Sequence, residues 1–191
     1  MTNLAIFASG SGTNAENIVR YFSDSKQIGV KCILTNVKNA GVLERAKRLN
    51  ISSYYFPNSE LKKSDGVLDC LHNHQIDYIV LAGFLALIPA KIVAEFPNRI
   101  INIHPALLPA YGGKGMYGDN VHKAVLANRE TESGISIHYV NEKYDEGRLI
   151  VQAYCPVFQD DSIESLAKRI HKLEYRYYPQ AIAQVILDYS D

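Results

Sequence analysis

Leu4-Ala5-Ile6-Phe7-Ala8-Ser9-Gly10-Ser11-Gly12-Thr13-Asn14-Ala15 is the stretch that decides the fold. Its apolar run, residues 4–8, has the length and chemistry of a strand covered on both faces. A glycine-rich turn follows, and Ala15, Ile18, Val19 and Phe22 then recur at helical spacing. A strand that passes through glycines directly into a helix opens a β-α-β unit, whose next strand lies parallel to the first.

Working outward, residues 28–34 and 51–56 read as second and third strands with a helix over 42–49 between them, and Pro57 ends the third. Residues 61–74 predict an amphipathic helix, and Tyr78-Ile79-Val80-Leu81-Ala82 a fourth strand closed by Gly83. A short helix over 89–96 leads to Arg99-Ile100-Ile101-Asn102-Ile103-His104, a fifth strand that carries polar side chains at 102 and 104. Residues 105–118, with two prolines and four glycines, have the composition of a functional loop. Residues 135–140 and 149–155 form two more strands about a turn at 141–147, and 161–187 a terminal helix that Pro179 should kink or divide. The fold class is α/β: an open, mostly parallel, Rossmann-like sheet with helices on both faces. With 191 residues, no repeat and no linker-like stretch, residues 1–191 are expected to be a single domain.

Composition narrows the function. Lys+Arg and Asp+Glu are both 20, so no overall field draws the chain to nucleic acid or to an anionic membrane. The thirteen tyrosines then read as packing and not as a base-stacking platform. The N-terminus lacks a signal-peptide pattern, and no apolar run reaches membrane-spanning length. Cys32, Cys70 and Cys155 are far apart and outside any ligand spacing, which points to a reducing compartment, the cytoplasm, and no structural metal. His72 and His74 are two apart on a predicted helix, and His122 and His138 lack partners at metal spacing, so no metal is expected.

The chemistry-bearing residues fall at strand ends. Ser9 to Asn14 place backbone N–H groups, a helix dipole and two hydroxyls where a phosphate can sit. Gly10, Gly12 and Ala15 also meet the dinucleotide fingerprint G-x-G-x-x-A, but no Asp or Glu between 28 and 43 is available to hold a ribose. Lys38 leaves a phosphorylated ribose open. On an extended strand Asn102 and His104 point to one face, opposite Ile101 and Ile103, toward the crevice where doubly wound sheets bind ligands. An amide that stabilises an oxyanion beside an imidazole that carries a proton is what acyl transfer needs. Asp145, in the turn Tyr144-Asp145-Glu146-Gly147, is expected to raise the pKa of His104 if the fold brings it close. Each of these residues taken alone also fits a plain structural role, as a strand-end or turn side chain bonded to backbone.

Together, Gly10-Ser11-Gly12-Thr13-Asn14, Leu81-Ala82-Gly83-Phe84, Asn102-Ile103-His104-Pro105-Ala106-Leu107-Leu108-Pro109 and Tyr144-Asp145-Glu146-Gly147 resemble the folate-dependent formyltransferases, over nearly the whole chain. The resemblance implies catalytic roles for Asn102, His104 and Asp145. It implies 10-formyltetrahydrofolate as co-substrate, and through the glycine loop it points to the branch that formylates the amine of glycinamide ribonucleotide in purine synthesis. Gly12, Thr13 and Asn14 would then hold the phosphate, and Glu174 and His171, one turn apart on the last helix, the rest of the nucleotide. The folate would lie against Leu85, Ala86, Leu87 and Ile88, with Asn102, Val140 and the turn up to Asp145, and Lys63 would face its glutamate tail. Ala86 stands where many relatives carry arginine. Other formyl-folate transferases or hydrolases share the three catalytic residues, but those acting on transfer RNA or hydrolysing the folate carry a further domain for which this length leaves no room. A nucleotide-binding module without catalysis would need only the glycine loop. The oligomeric state is left open, a homodimer being one outcome.

Overall fold

The computed structural model describes residues 1–63 and 65–188. In chain order the elements are β1 (Thr2–Phe7), α1 (Thr13–Tyr21), β2 (Ile28–Thr35), α2 (Gly41–Arg48), β3 (Ser52–Tyr55), α3 (Asn58–Lys63) and α4 (Asp65–Asn73). There follow β4 (Tyr78–Leu81), α5 (Ala90–Glu95), β5 (Ile100–His104), α6 (Asp119–Ala127), β6 (Glu132–Tyr139), β7 (Leu149–Pro156) and α7 (Ile163–Asp188). The strands form one sheet in the order β3-β2-β1-β4-β5-β6-β7. The first five are mutually parallel, and β6 and β7 extend the sheet as antiparallel strands.

Both faces are covered, as the unbroken apolar runs require. Leu4, Ile6 and Ala8 pack with the inner stripes of α1, α2, α6 and α7, whereas Ala5 and Phe7 pack with those of α3, α4 and α5. From β1 the chain builds outward to β2 and β3, then returns to lay β4 and β5 on the other side of β1. The strand order reverses between β1 and β4, and the crevice at their carboxyl ends is where open α/β sheets bind ligands. There Ser9 N–H donates to the Gly83 carbonyl at 2.9 Å, and the Ser9 hydroxyl accepts from Leu85 N–H at 3.0 Å.

Two features differ from the sequence reading. Pro179 does not divide the terminal helix, which is continuous over Ile163–Asp188. Proline lacks the N–H that would bond the carbonyl four residues back, and that carbonyl, of Tyr175, instead accepts from Asn17 Nδ2 at 2.9 Å. Tyr178 beside it is fully buried, with its hydroxyl 2.9 Å from the Leu81 carbonyl and 3.0 Å from that of Ile101, which seats α7 across the ends of β4 and β5. The second difference is α6, a helix that follows the glycine-rich loop and buries Val121, His122 and Val125.

Candidate active site

A cleft of about 620 Å³ opens at the reversal point, lined at one end by Gly10 to Asn14 and at the other by Asn102, His104 and Asp145. Its size suits a small organic ligand.

At the glycine-loop end the backbone does the positioning. Gly12 caps α1 with φ 78°, a left-handed conformation that favours glycine, and a Cβ there would also press into Val42. The N-terminal half of α2 braces the loop: Val42 N–H donates to the Gly10 carbonyl at 3.1 Å and Arg45 Nε to the Ser11 carbonyl at 2.7 Å. With these carbonyls turned onto α2, the loop's N–H groups are left to the cleft. Arg45 is itself held by Glu16, whose carboxyl the hydrogen bonds from Arg20 and Arg45 bring down to about 2. Deeper in the cleft, Asn14 Nδ2 donates to Glu174 Oε2 at 2.9 Å. Burial pushes the Glu174 carboxyl up, against the lowering effect of that hydrogen bond. His171 lines the cleft near it and stacks on Tyr175.

At the other end, side chains from three segments converge. His104, 3% exposed, ends β5 with Nε2 2.7 Å from the Tyr111 carbonyl, an acceptor that places the proton on Nε2. Its Nδ1 lies 3.5 Å from Asp145 Oδ2. Asn102 Nδ2 donates to His138 Nε2 at 3.1 Å and lies 3.5 Å from Asp145 Oδ1. His138 Nδ1 donates to its neighbour's carbonyl, Tyr139, at 2.8 Å, which leaves Nε2 as the acceptor Asn102 needs. Asp145 takes φ 55° and accepts Gly113 N–H at 2.9 Å. Gly147 must be glycine here, because a Cβ would collide with the Tyr139 carbonyl.

The expected rise in the His104 pKa is not what the site produces. Burial, the largest influence, pulls the imidazole below its ordinary 6.5 and outweighs the opposing charge of Asp145. His104 is therefore neutral at rest. Burial works to raise Asp145, but the adjoining His138 and His104 side chains and the Gly113 N–H hold its carboxyl below the ordinary value. Asp145 is ionised.

Asn102, His104, Asp145, Gly12, Thr13, Asn14, His171 and Glu174 all line the one cleft, as does Leu85. Ala86, Leu87, Ile88 and Val140 are outside this lining: Ile88 is 2% exposed in the core beneath β4, Ala86 and Val140 pack against that core, and Leu87 is exposed. The Lys63 side chain lies outside the described residues. Among the described residues no group of three or more His, Cys, Asp or Glu side chains is arranged to hold a metal ion.

Sequence reasoning weighed His138 and His122 only as metal ligands and passed over Ser136. The antiparallel register sets Asn102 opposite His138 and His104 opposite Ser136. Ser136, fully buried, donates to the Ala106 carbonyl at 2.7 Å and accepts Leu108 N–H at 2.9 Å, anchoring the loop after β5. The signal was present as two strands, each with polar residues at every second position, but pairing them requires knowing that β6 runs beside β5.

Residues 2–182 match the family model described as formyl transferase. The chain belongs to the formyl transferase family. Within it, the chain is 43% identical to a phosphoribosylglycinamide formyltransferase of Arabidopsis thaliana chloroplasts over 95% of its own length, and 35% identical to the Bacillus subtilis protein of the same name over 97%. It spans 64% of the Arabidopsis protein, 59% of its Vigna unguiculata counterpart and 95% of the Bacillus one. Among solved structures, glycinamide ribonucleotide transformylase 1 from Geobacillus kaustophilus superposes with a TM-score of 0.89 at 34% identity, covering 97% of this chain and 99% of that one.

Proposed function

We propose that this chain transfers the formyl group of 10-formyltetrahydrofolate to the amine of glycinamide ribonucleotide, giving tetrahydrofolate and the formylated nucleotide of purine biosynthesis. The observation that carries this reading is one cleft with a backbone N–H cradle at one end and Asn102, His104 and Asp145 at the other. A phosphate held by Gly12, Thr13 and Asn14 fixes the nucleotide so that its amine reaches the formyl carbon beside His104. Glu174, with His171 near it, contacts the nucleotide between these ends.

In the transfer, the amine nitrogen bonds to the formyl carbon and the carbonyl oxygen becomes an oxyanion, stabilised by the Asn102 amide. The amine's proton passes to Nδ1 of neutral His104, and Asp145 stabilises the imidazolium as it forms. That proton is delivered to the folate nitrogen as its bond to the formyl carbon breaks, which restores neutral His104. The pteridine lies against the backbone of residues 85–88 and 140–145, next to Asn102, and the glutamate tail extends toward Lys63. We read residues 1–191 as one formyltransferase domain and place the reaction in the cytoplasm, although plant relatives are chloroplastic. Among the described residues no helix is long and apolar enough to cross a membrane.

The test is the absorbance change on conversion of a 10-formyl folate with and without glycinamide ribonucleotide. Conversion that requires the nucleotide supports the assignment. Conversion without it indicates a hydrolase, and none indicates another acceptor or a binding module.

A further inference from the structure

Among the described residues, three buried side-chain atoms have no hydrogen-bond partner: Asn14 Oδ1, His122 Nδ1 and Ser133 Oγ. Two of the three, Asn14 and His122, belong to residues that line the cleft. Buried polar atoms in folded proteins are almost always partnered, so orphans gathered at a cleft indicate that a ligand completes them. Asn14 already belongs to the proposed nucleotide site; His122 has no role in the account so far.

His122 is 2% exposed and comes from α6, which packs against α7. It lines the same cleft as His104 and His171 and lies within electrostatic reach of both. Burial pulls its imidazole below the ordinary 6.5, and Asp119, at the start of α6, only partly opposes this. A neutral imidazole offers one donor and one acceptor. The orphaned Nδ1 can be either of these according to the tautomer, and a hydroxyl or a secondary amide can meet it in both states. Between the phosphate and the amine, a ribosylamide phosphate carries only groups of that kind along with its ring oxygen.

We propose that His122 is a substrate-contacting, specificity-determining residue that hydrogen-bonds the ribosylamide segment of the nucleotide, through a ribose hydroxyl or the amide. This rests on reading the cleft as a nucleotide site. It also ties α6, which directly follows the glycine-rich loop, to nucleotide occupancy, since the ligand satisfies a side chain that the empty helix leaves unpaired.

The experiment combines steady-state kinetics, both substrates varied, with calorimetric binding of ribose 5-phosphate and of glycinamide ribonucleotide. The variants are His122→Phe and His122→Leu, which fill the space without polar groups, and His122→Asn, which keeps a donor and an acceptor. The apolar variants should raise the nucleotide KM roughly tenfold, leave kcat and the folate KM within about twofold, and be largely rescued in His122→Asn. Weakened ribose 5-phosphate binding identifies a hydroxyl as the partner; weakened binding of the whole nucleotide alone identifies the amide. A folded apolar variant with unchanged nucleotide KM and binding overturns the proposal, as does an equal loss in kcat and both KM values that His122→Asn does not rescue. In the unsubstituted protein the ring-nitrogen NMR signals of His122 should shift on nucleotide saturation, and signals that stay put overturn the proposal without any variant. If the unsubstituted protein binds the nucleotide but does not transfer formyl, the functional reading fails while the binding and NMR results still decide His122. If it binds neither ligand, both fail.

Discussion

The two ends of the cleft are built on different principles. The glycine-loop end is one short segment whose backbone amides are the working groups, held in place by α2. The reacting end is assembled from β5, β6 and the turn after β6, and its working groups are side chains whose protonation depends on one another. The first should therefore tolerate side-chain exchange but not a change of backbone path, whereas the second should be sensitive to side-chain exchange.

The largest test of that contrast is Asp145→Asn, which removes the charge that stabilises the imidazolium while keeping the shape. It should lower kcat by about a hundredfold or more with little change in either KM. Unchanged turnover would remove Asp145 from the mechanism and leave the two ends alike.

Gly12→Ala attacks the other end through its backbone. The left-handed φ and the Val42 contact should cost roughly 1–3 kcal/mol of stability, read as a lower melting temperature, together with a raised nucleotide KM. A melting temperature equal to that of the unsubstituted protein would show that the loop has another path open to it.

A smaller effect is expected from Arg45→Met, which releases the Ser11 carbonyl without touching the cleft lining. The nucleotide KM should rise about three- to tenfold, the value of one charge-assisted hydrogen bond, with kcat and the folate KM unchanged. A fall in kcat instead would mean that α2 supports more than the loop.

The mildest probe is pH. Because burial lowers the His104 pKa, the neutral imidazole persists below pH 6.5, and its ring NMR signals should titrate only below that value. The stability link has the same sign. With the folded pKa below the unfolded one, the unfolded chain binds more protons in that interval, so stability contributed by neutral His104 is present above pH 6.5 and lost as pH falls through the folded pKa. A ring titration centred above 6.5 would mean that the charge of Asp145 outweighs burial after all.

Much of the fold was legible because it is local. The five parallel strands read as apolar runs separated by helical periods, and the glycine loop announces both its turn and its chemistry. Asn102 and His104 could be paired from strand alternation alone. Helix α6 was overlooked because it follows a loop rich in glycine, where propensity argues against regular structure. With it His122 was read as unremarkable. Pro179 was read as a helix breaker because nothing local shows that Asn17, 158 residues before Tyr175, takes up the freed carbonyl.

By itself the sequence determined the sheet, the order of its parallel strands' chemistry, and the identity of the groups at each strand end, since all of these follow from side-chain periodicity within a dozen residues. Only the tertiary structure decided that His138 orients Asn102, that His122 is an orphan in the cleft, and that His104 is neutral. Strand register, burial and charge proximity are set by residues distant along the chain, and pKa follows burial and neighbours, not residue type.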